Sequence, residues 1–369
     1  MKETTHRLNT FGFTSFHKRM GLIFLFLVLV SVSLMIGVDQ NVNLQNLLKL
    51  DPAAWQIFWV SRLPRTIAIV LTASGLSVSG LIMQSLSSNK FMSPSTSGTT
   101  DAAMLGVLLS FLLLGDQPRL VQMLFAFIFA FVSTMLFMTI LGRIPLREAV
   151  YVPLVGIMYG GMIRALANAV AYQANALQTL SKIGLGTFNR FTSFAMLYLV
   201  LIPLALAVLY ATRFSIAGMG EDFSKGLGLH YKRTVFLGLC VIAAISAATF
   251  VTVGPISFVG LIIPNMITAF YGDDVKKTIF DVMLLGTIFV LLCDIFSRLI
   301  IYPYEIAVGF TIGIVGGAIF LVILFKRFVM VNRKQIAKKF ILLSVLIFFP
   351  QACTSMQESL QRRWTPALR

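Results

Sequence analysis

Charge is scarce in this chain of 369 residues. Only 12% of positions are Asp, Glu, Lys or Arg, against 57% that are hydrophobic. A water-soluble chain with so little charge cannot cover its surface. Acidic residues are the rarer sign, 14 against 30 basic ones, for a formal net charge of +16. His6, His17 and His230 lie far apart, and Cys240, Cys293 and Cys353 are scattered. That leaves neither a disulfide framework nor the ligand spacing of a metal site. A carrier that gripped a bare transition metal would want His and carboxylate ligands inside its spans. No G-x-x-x-x-G-K-[S/T] run occurs, so the chain has no phosphate cradle for ATP. Neither a catalytic triad nor a carboxylate pair within a span is visible. The expectation is a non-enzyme with no bound cofactor and no metal.

Long apolar runs recur instead. Ten spans are predicted: Gly21–Val38, Thr66–Leu86, Ala102–Gly115, Leu120–Leu141, Val150–Ala171, Phe191–Tyr210, Val235–Val253, Ile256–Phe270, Thr278–Ser297 and Ala307–Phe325. The alternating ten-residue pattern of a membrane β-barrel is missing. The expected fold class is therefore an all-α polytopic membrane protein with about ten transmembrane helices. The third and eighth spans are short for ~30 Å of hydrocarbon at ~1.5 Å per residue. Short spans persist when buried among helices or lining a cavity. The first run follows His17-Lys18-Arg19, and no small-x-small cleavage site precedes Asp39-Gln40-Asn41, so it reads as an uncleaved span.

Basic residues set the orientation. With the N-terminus inside, the inner segments through Lys334 hold 17 Lys/Arg. The outer ones hold seven: Lys49, Arg62, Arg65, Arg119, Lys182, Arg190 and Arg298. This bias puts both ends of the span-bearing region in the cytoplasm. It also explains the positive charge without nucleic acid as a partner. The expected organisation is a cytoplasmic segment 1–20, a transmembrane domain 21–327 and a tail 328–369. In the tail, Lys338-Lys339, the apolar run Phe340–Phe349 and Cys353 look like an imperfect lipoprotein signal; an interfacial or disordered tail is the alternative. Gly156/Gly160 and Gly309/Gly313 form G-x-x-x-G pairs, read as packing within the chain.

Several motifs carry polar residues that a span does not need for insertion. Ser61-Arg62-Leu63-Pro64-Arg65 precedes the second span. Gln84-Ser85-Leu86-Ser87-Ser88-Asn89 ends it, and Lys90-Phe91-Met92-Ser93-Pro94-Ser95-Thr96-Ser97-Gly98 comes next. Further on come Gly220-Glu221-Asp222-Phe223-Ser224-Lys225-Gly226-Leu227-Gly228, Phe258-Val259-Gly260-Leu261-Ile262-Ile263-Pro264-Asn265, Cys293-Asp294-Ile295-Phe296-Ser297-Arg298 and Glu305-Ile306-Ala307-Val308-Gly309. Together these resemble the permease family of iron–siderophore and vitamin B12 ABC importers, from Arg62 to Phe325, with the closer likeness to the siderophore branch. The family's Asn-Pro is here Asn89-Lys90, its His is Asn265, and the Pro of its E-x-P-V-G is Ala307.

The resemblance implies a type II importer fold in the bacterial cytoplasmic (inner) membrane, moving a ferric siderophore with no bond chemistry of its own. It implies separate ABC ATPase subunits, an extracytoplasmic substrate-binding protein, and a permease homodimer or a heterodimer with a paralogous permease. Membrane lipid is the solvent. It assigns docking of the binding protein to Arg62, Arg65 and Arg298, for which interfacial snorkelling is the alternative. It assigns the cytoplasmic gate to Gln84, Ser88, Asn89, Ser93 and Pro94, with Arg147 in a second gate loop. Coupling to the ATPase falls to Glu221, Phe223, Lys225, Leu227 and Gly228. Phe223 and Leu227, four apart, form one apolar helix face. Arg164 and Asn168 are candidates for the translocation path; Arg164 either attracts an anionic chelate or pairs with another span. Other readings are a cobalamin or haem importer, an ion-coupled secondary carrier and a membrane-embedded enzyme.

Overall fold

The computed structural model describes residues 2–37, 51–115, 117–143, 151–188, 195–272, 274–301 and 304–331. The tail beyond 331 and the loop 144–150, with Arg147, lie outside the described residues. Helices in chain order are α1 (Lys2–Met35), α2 (Pro52–Ile57), α3 (Leu63–Leu86), α4 (Thr99–Leu114), α5 (Arg119–Arg143), α6 (Tyr151–Gln173) and α7 (Leu177–Ile183). After these come α8 (Ala195–Leu209), α9 (Ala211–Ala217), α10 (Glu221–Gly226), α11 (Tyr231–Val253), α12 (Val259–Tyr271), α13 (Val275–Leu299) and α14 (Val308–Val331). Among the described residues the only β pairing is the isolated bridge between Ile301 and Tyr304. The chain divides into two compact units, Met1–Gly317 and Ala318–Arg369. The described part of the second, residues 318–331, is helical.

Each predicted span meets a helix. Among the described residues, six helices are long and apolar enough to cross a membrane, and α8 and α9 form a seventh candidate bent by 61°. The remaining three, Arg19–Met35, Thr99–Leu114 and Val259–Ala269, are apolar but shorter. The chain is an integral membrane protein.

Helix α3 is the centre of the first unit. Its composition suits that place: Thr72, Ala73, Ser74, Gly75, Ser77, Ser79 and Gly80 are all buried. Apolar residues gain little from leaving lipid for protein, so membrane helices associate through small residues that allow close approach. A Cβ at Gly80 would overlap the carbonyl oxygen of Gly260 on α12. The Ser74 and Thr287 hydroxyls meet across α3 and α13 at 3.1 Å. Leu81, Ile82 and Met83 belong to a core shared with α11, α12 and α13, while a second core joins α4, α5, α6 and α11. Gly156 and Gly160 pack within the chain, against Thr96 and against Gly98 and Asp101.

Regular helix gives way just before α3. Phe58–Arg62 is a π-helical turn joining α2 to α3. Pro64 lacks an N–H and its ring crowds the carbonyl four residues earlier. The π turn absorbs that break, with the Leu63 N–H donating to Phe58 O.

Candidate functional site

At one end of the bundle, Arg65 and Arg298 gather around two carboxylates, and Arg62 joins Arg298 on the end of α1. Arg65 Nη1 donates to both oxygens of Glu305 at 2.9 and 2.8 Å, and its Nη2 donates to Asp294 Oδ1 at 2.8 Å. Arg298, one helical turn beyond Asp294, pairs with the other Asp294 oxygen. It also donates to Ser33 O at 3.1 Å and Ile36 O at 3.0 Å. Arg62 donates to Met35 O at 3.0 Å. Sequence separates these groups widely; the packing of α1, α3 and α13 unites them. The C-terminus of α1 leaves carbonyls without helical partners, and two guanidinium groups cap them. Arg62 and Arg298 are therefore buried inside the chain, where an outward-facing rim was expected. Arg65 and Glu305 are the outermost pair, with side-chain exposures of 14% and 16%.

The segment from Gln84 to Gly98 is built to turn sharply and stay polar inside. Helix α3 ends in a Schellman motif: Asn89 N–H donates to Gln84 O at 3.1 Å and Ser88 N–H to Ser85 O at 3.1 Å. Ser88 carries the left-handed backbone, φ 47°, that this motif needs. The Asn89 side chain accepts from Phe91 N–H at 2.9 Å. Ser93 binds the Ser95 and Thr96 hydroxyls, each at 3.1 Å. Gln84 donates to Leu261 O and Asn265 to Lys90 O, tying the segment to α12. Asn89, Ser93 and Pro94 are buried and Ser88 is exposed.

The same end of α3 holds the loop that contains α9 and α10. Ser85 donates to Phe214 O at 2.9 Å and Ser88 to Gly218 O at 3.1 Å. Ser215 accepts from Val275 N–H at 2.8 Å, binding α9 to the start of α13. In α10, Ser224 turns inward and donates to Gly220 O at 2.6 Å. Phe223 and Leu227 turn outward, 53% and 59% exposed, beside exposed Met219. Gly228 supplies φ 76° for the helix stop, and Leu229 N–H closes it on Ser224 O. Lys225 bonds Glu221 at 2.9 Å, and that hydrogen bond and charge hold the Glu221 carboxyl below its ordinary range. A cavity of about 630 Å³ lies between this loop and α3, lined by Ser85, Lys90, Ser215, Thr268 and Lys276 among others.

Arg164 has a partner that sequence alone did not single out. Its Nε and Nη2 donate to Asp101 Oδ1 at 2.9 and 2.6 Å. Asp101 is buried in the first turn of α4, while Arg164 is exposed. Both line a cavity of about 430 Å³ with Asn168, Leu180, Phe250 and Phe310. The available signal was an acid directly before the predicted span Ala102–Gly115, next to Gly98-Thr99-Thr100. Among the described residues no three His, Cys, Asp or Glu side chains group as metal ligands would.

Comparison with known proteins gives these groups a context. The FecCD transport family matches residues 23–326. The petrobactin import system permease protein YclN of Bacillus subtilis is 42% identical over 308 residues, covering 83% of this chain and 97% of that protein. The ferric-anguibactin transport system permease protein FatD of Vibrio anguillarum is 39% identical over 307 residues, covering 83% and 98%. A solved metal-chelate type ABC transporter in an inward-facing conformation shares the fold, with a TM-score of 0.70 at 22% identity, covering 83% of this chain and 98% of that one.

Proposed function

The chain belongs to the FecCD transport family, and we propose that it is the transmembrane permease of an ABC importer for a ferric siderophore. The observation that carries this is the 42% identity to a petrobactin import permease over 97% of that protein's length. The chain is a transport permease and not an enzyme. Membership implies ATPase subunits, a substrate-binding protein and a second permease as partners. In this reading the bilayer is the cytoplasmic membrane, both ends of the permease domain (21–327) face the cytoplasm, and the positive-inside bias supports that orientation.

The parts then divide the work. The cargo follows the cavity beside Asp101, Arg164 and Asn168, which supplies a carboxylate, a guanidinium and an amide to a chelate. Residues Gln84–Pro94 close the path on the cytoplasmic side; the polar bonds inside that segment support a hinge that moves as a unit. The outward Phe223 and Leu227 offer an apolar face to the ATPase, and their exposure on a charged loop supports that role. The bonds from Ser85 and Ser88 to the α9 region link the gate to this coupling loop. Of the three arginines expected to dock the binding protein, Arg65 at the outer edge is the one that meets an acidic residue of that protein, while Arg62 and Arg298 hold the cluster from within. ATP binding and hydrolysis shift the populations of the two path states.

The test is uptake of radiolabelled iron by the complete importer in proteoliposomes. ATP-dependent accumulation of ferric petrobactin or another ferric siderophore, without accumulation of free iron or cobalamin, is the expected result. Cobalamin uptake with no siderophore uptake would overturn the substrate class.

A further inference from the structure

Within the arginine cluster, one acidic residue stands where a partner's carboxylate would have to go. Arg65 and Arg298 share two carboxylates here, and the two carboxylates are not equivalent. Asp294 is fully buried on α13 and bridges Arg65 and Arg298. Glu305 lies at the outer edge, in the irregular stretch before α14, and grips Arg65 Nη1 with both oxygens. Its backbone is anchored at the neighbouring residue, where Ile306 N–H donates to Ser297 O at 3.1 Å. The Glu305 side chain can therefore change rotamer without breaking a helix.

A planar guanidinium fork takes a carboxylate along one edge. One part of the Arg65 fork is committed inward to Asp294, and the outward part carries Glu305. A carboxylate arriving from outside meets an edge already filled by the same chemistry, with like-charge repulsion added. Arg62 and Arg298 are more deeply buried and occupied with carbonyls of α1. Arg65 is thus the arginine most open to exchange.

We propose that Glu305 is a displaceable internal counter-ion: the substrate-binding protein docks by exchanging its own carboxylate for Glu305 on Arg65. This rests on the docking role of the arginines proposed above. Glu305 weakens docking while it holds Arg65, and it returns to Arg65 when the binding protein leaves. Release is assisted by a group within the permease, and Arg65 keeps a carboxylate partner at either stage.

The experiment uses the assembled importer in lipid nanodiscs and the substrate-binding protein that supports uptake in proteoliposomes. Affinity and dissociation rate are measured for wild type, Glu305→Gln, Arg65→Ala and the double variant. Glu305→Gln keeps an acceptor for Arg65 but removes the charge. It should tighten docking about tenfold, mainly through slower dissociation. In the Arg65→Ala background that gain should vanish, because the two residues act through one contact. A merely structural Glu305 predicts the opposite sign, with lower thermal stability and weaker docking. Unchanged or weaker docking of Glu305→Gln, alongside weakened docking of Arg65→Ala, overturns the counter-ion role alone. A gain that persists without Arg65 also overturns it, since it would then reflect only the changed field. Arg65→Ala docking as well as wild type would instead sink the docking assignment.

Discussion

Asp294 has two guanidinium partners and no exposure, so its replacement isolates what a buried carboxylate does for this permease. Asp294→Asn leaves Arg65 with Glu305 but strips Arg298 of its anion. Removing one partner of a buried pair costs about 3–5 kcal/mol, because a charge is left uncompensated. The detergent-solubilised variant should therefore unfold at a clearly lower temperature than wild type, while Glu305→Gln, at the partly exposed edge, should stay near it. Equal melting temperatures for Asp294→Asn and wild type would show that water or lipid headgroups already neutralise Arg298. At this scale the sequence was only partly legible. Arg62, Arg65 and Arg298 stood out as charges flanking spans. Their burial did not, because their partners include backbone carbonyls at Met35 and Ile36, and a carbonyl has no residue identity to read. Asp101 was missed for a related reason: Arg164 lies 63 positions away, and only the packing of α4 on α6 brings the two together.

Among the elements, α10 is short, six residues, and its Asp222 and Lys225 are exposed as charges on any surface loop are. What distinguishes it is the outward pair Phe223 and Leu227 with Ser224 turned inward. Leu227→Asp places a carboxylate on that face, where burial without a partner costs about 1–3 kcal/mol or more. The permease should still fold, since Leu227 is exposed, but the ATPase should no longer copurify with it. Copurification at the wild-type level would remove α10 from the contact. The position of α10 was legible through the resemblance of Gly220–Gly228 to the family's segment before the seventh span, not through its spacing alone. The ten apolar spans were also legible in hydropathy, including the short ones at Thr99 and Val259. The π turn at Phe58–Arg62 was not. Pro64 announces a break, but several backbone solutions satisfy a missing N–H, and the choice among them depends on what α2 packs against.

For the whole molecule, the question is how one end of the bundle learns what happens at the other. Helix α13 runs from Val275, bonded to Ser215, to Arg298 in the arginine cluster. Its 25 residues reach about 37 Å at ~1.5 Å each. Around it, α3 and α12 meet at Gly80 and Gly260 with no side chain between them, so relative movement there meets no interlocking side chains. This arrangement predicts a pattern of access at the gate. In the resting importer, Ser88→Cys should react with a membrane-impermeant thiol reagent from the cytoplasmic side, and Ser93→Cys, buried, should not. Trapping ATP should change the reactivity of both. Reaction of Ser88→Cys from the outside only would reverse the orientation and remove the gate with it. The proposed orientation rests on charge counts along the chain; the central place of α3 needed the structure, because a row of Ser, Gly and Ala also suits a helix at the edge.

The capping of α1 has a consequence in time. Arg298, which closes the end of the first span at Ile36, is made 262 residues after it. At a synthesis rate of about 5–20 residues per second, that is roughly 13–50 s. Arg62 emerges early and can reach Met35, but the Ile36 carbonyl waits for Arg298 throughout that interval. A chain cut short anywhere before Arg298 therefore carries its defect in α1, far from the cut itself.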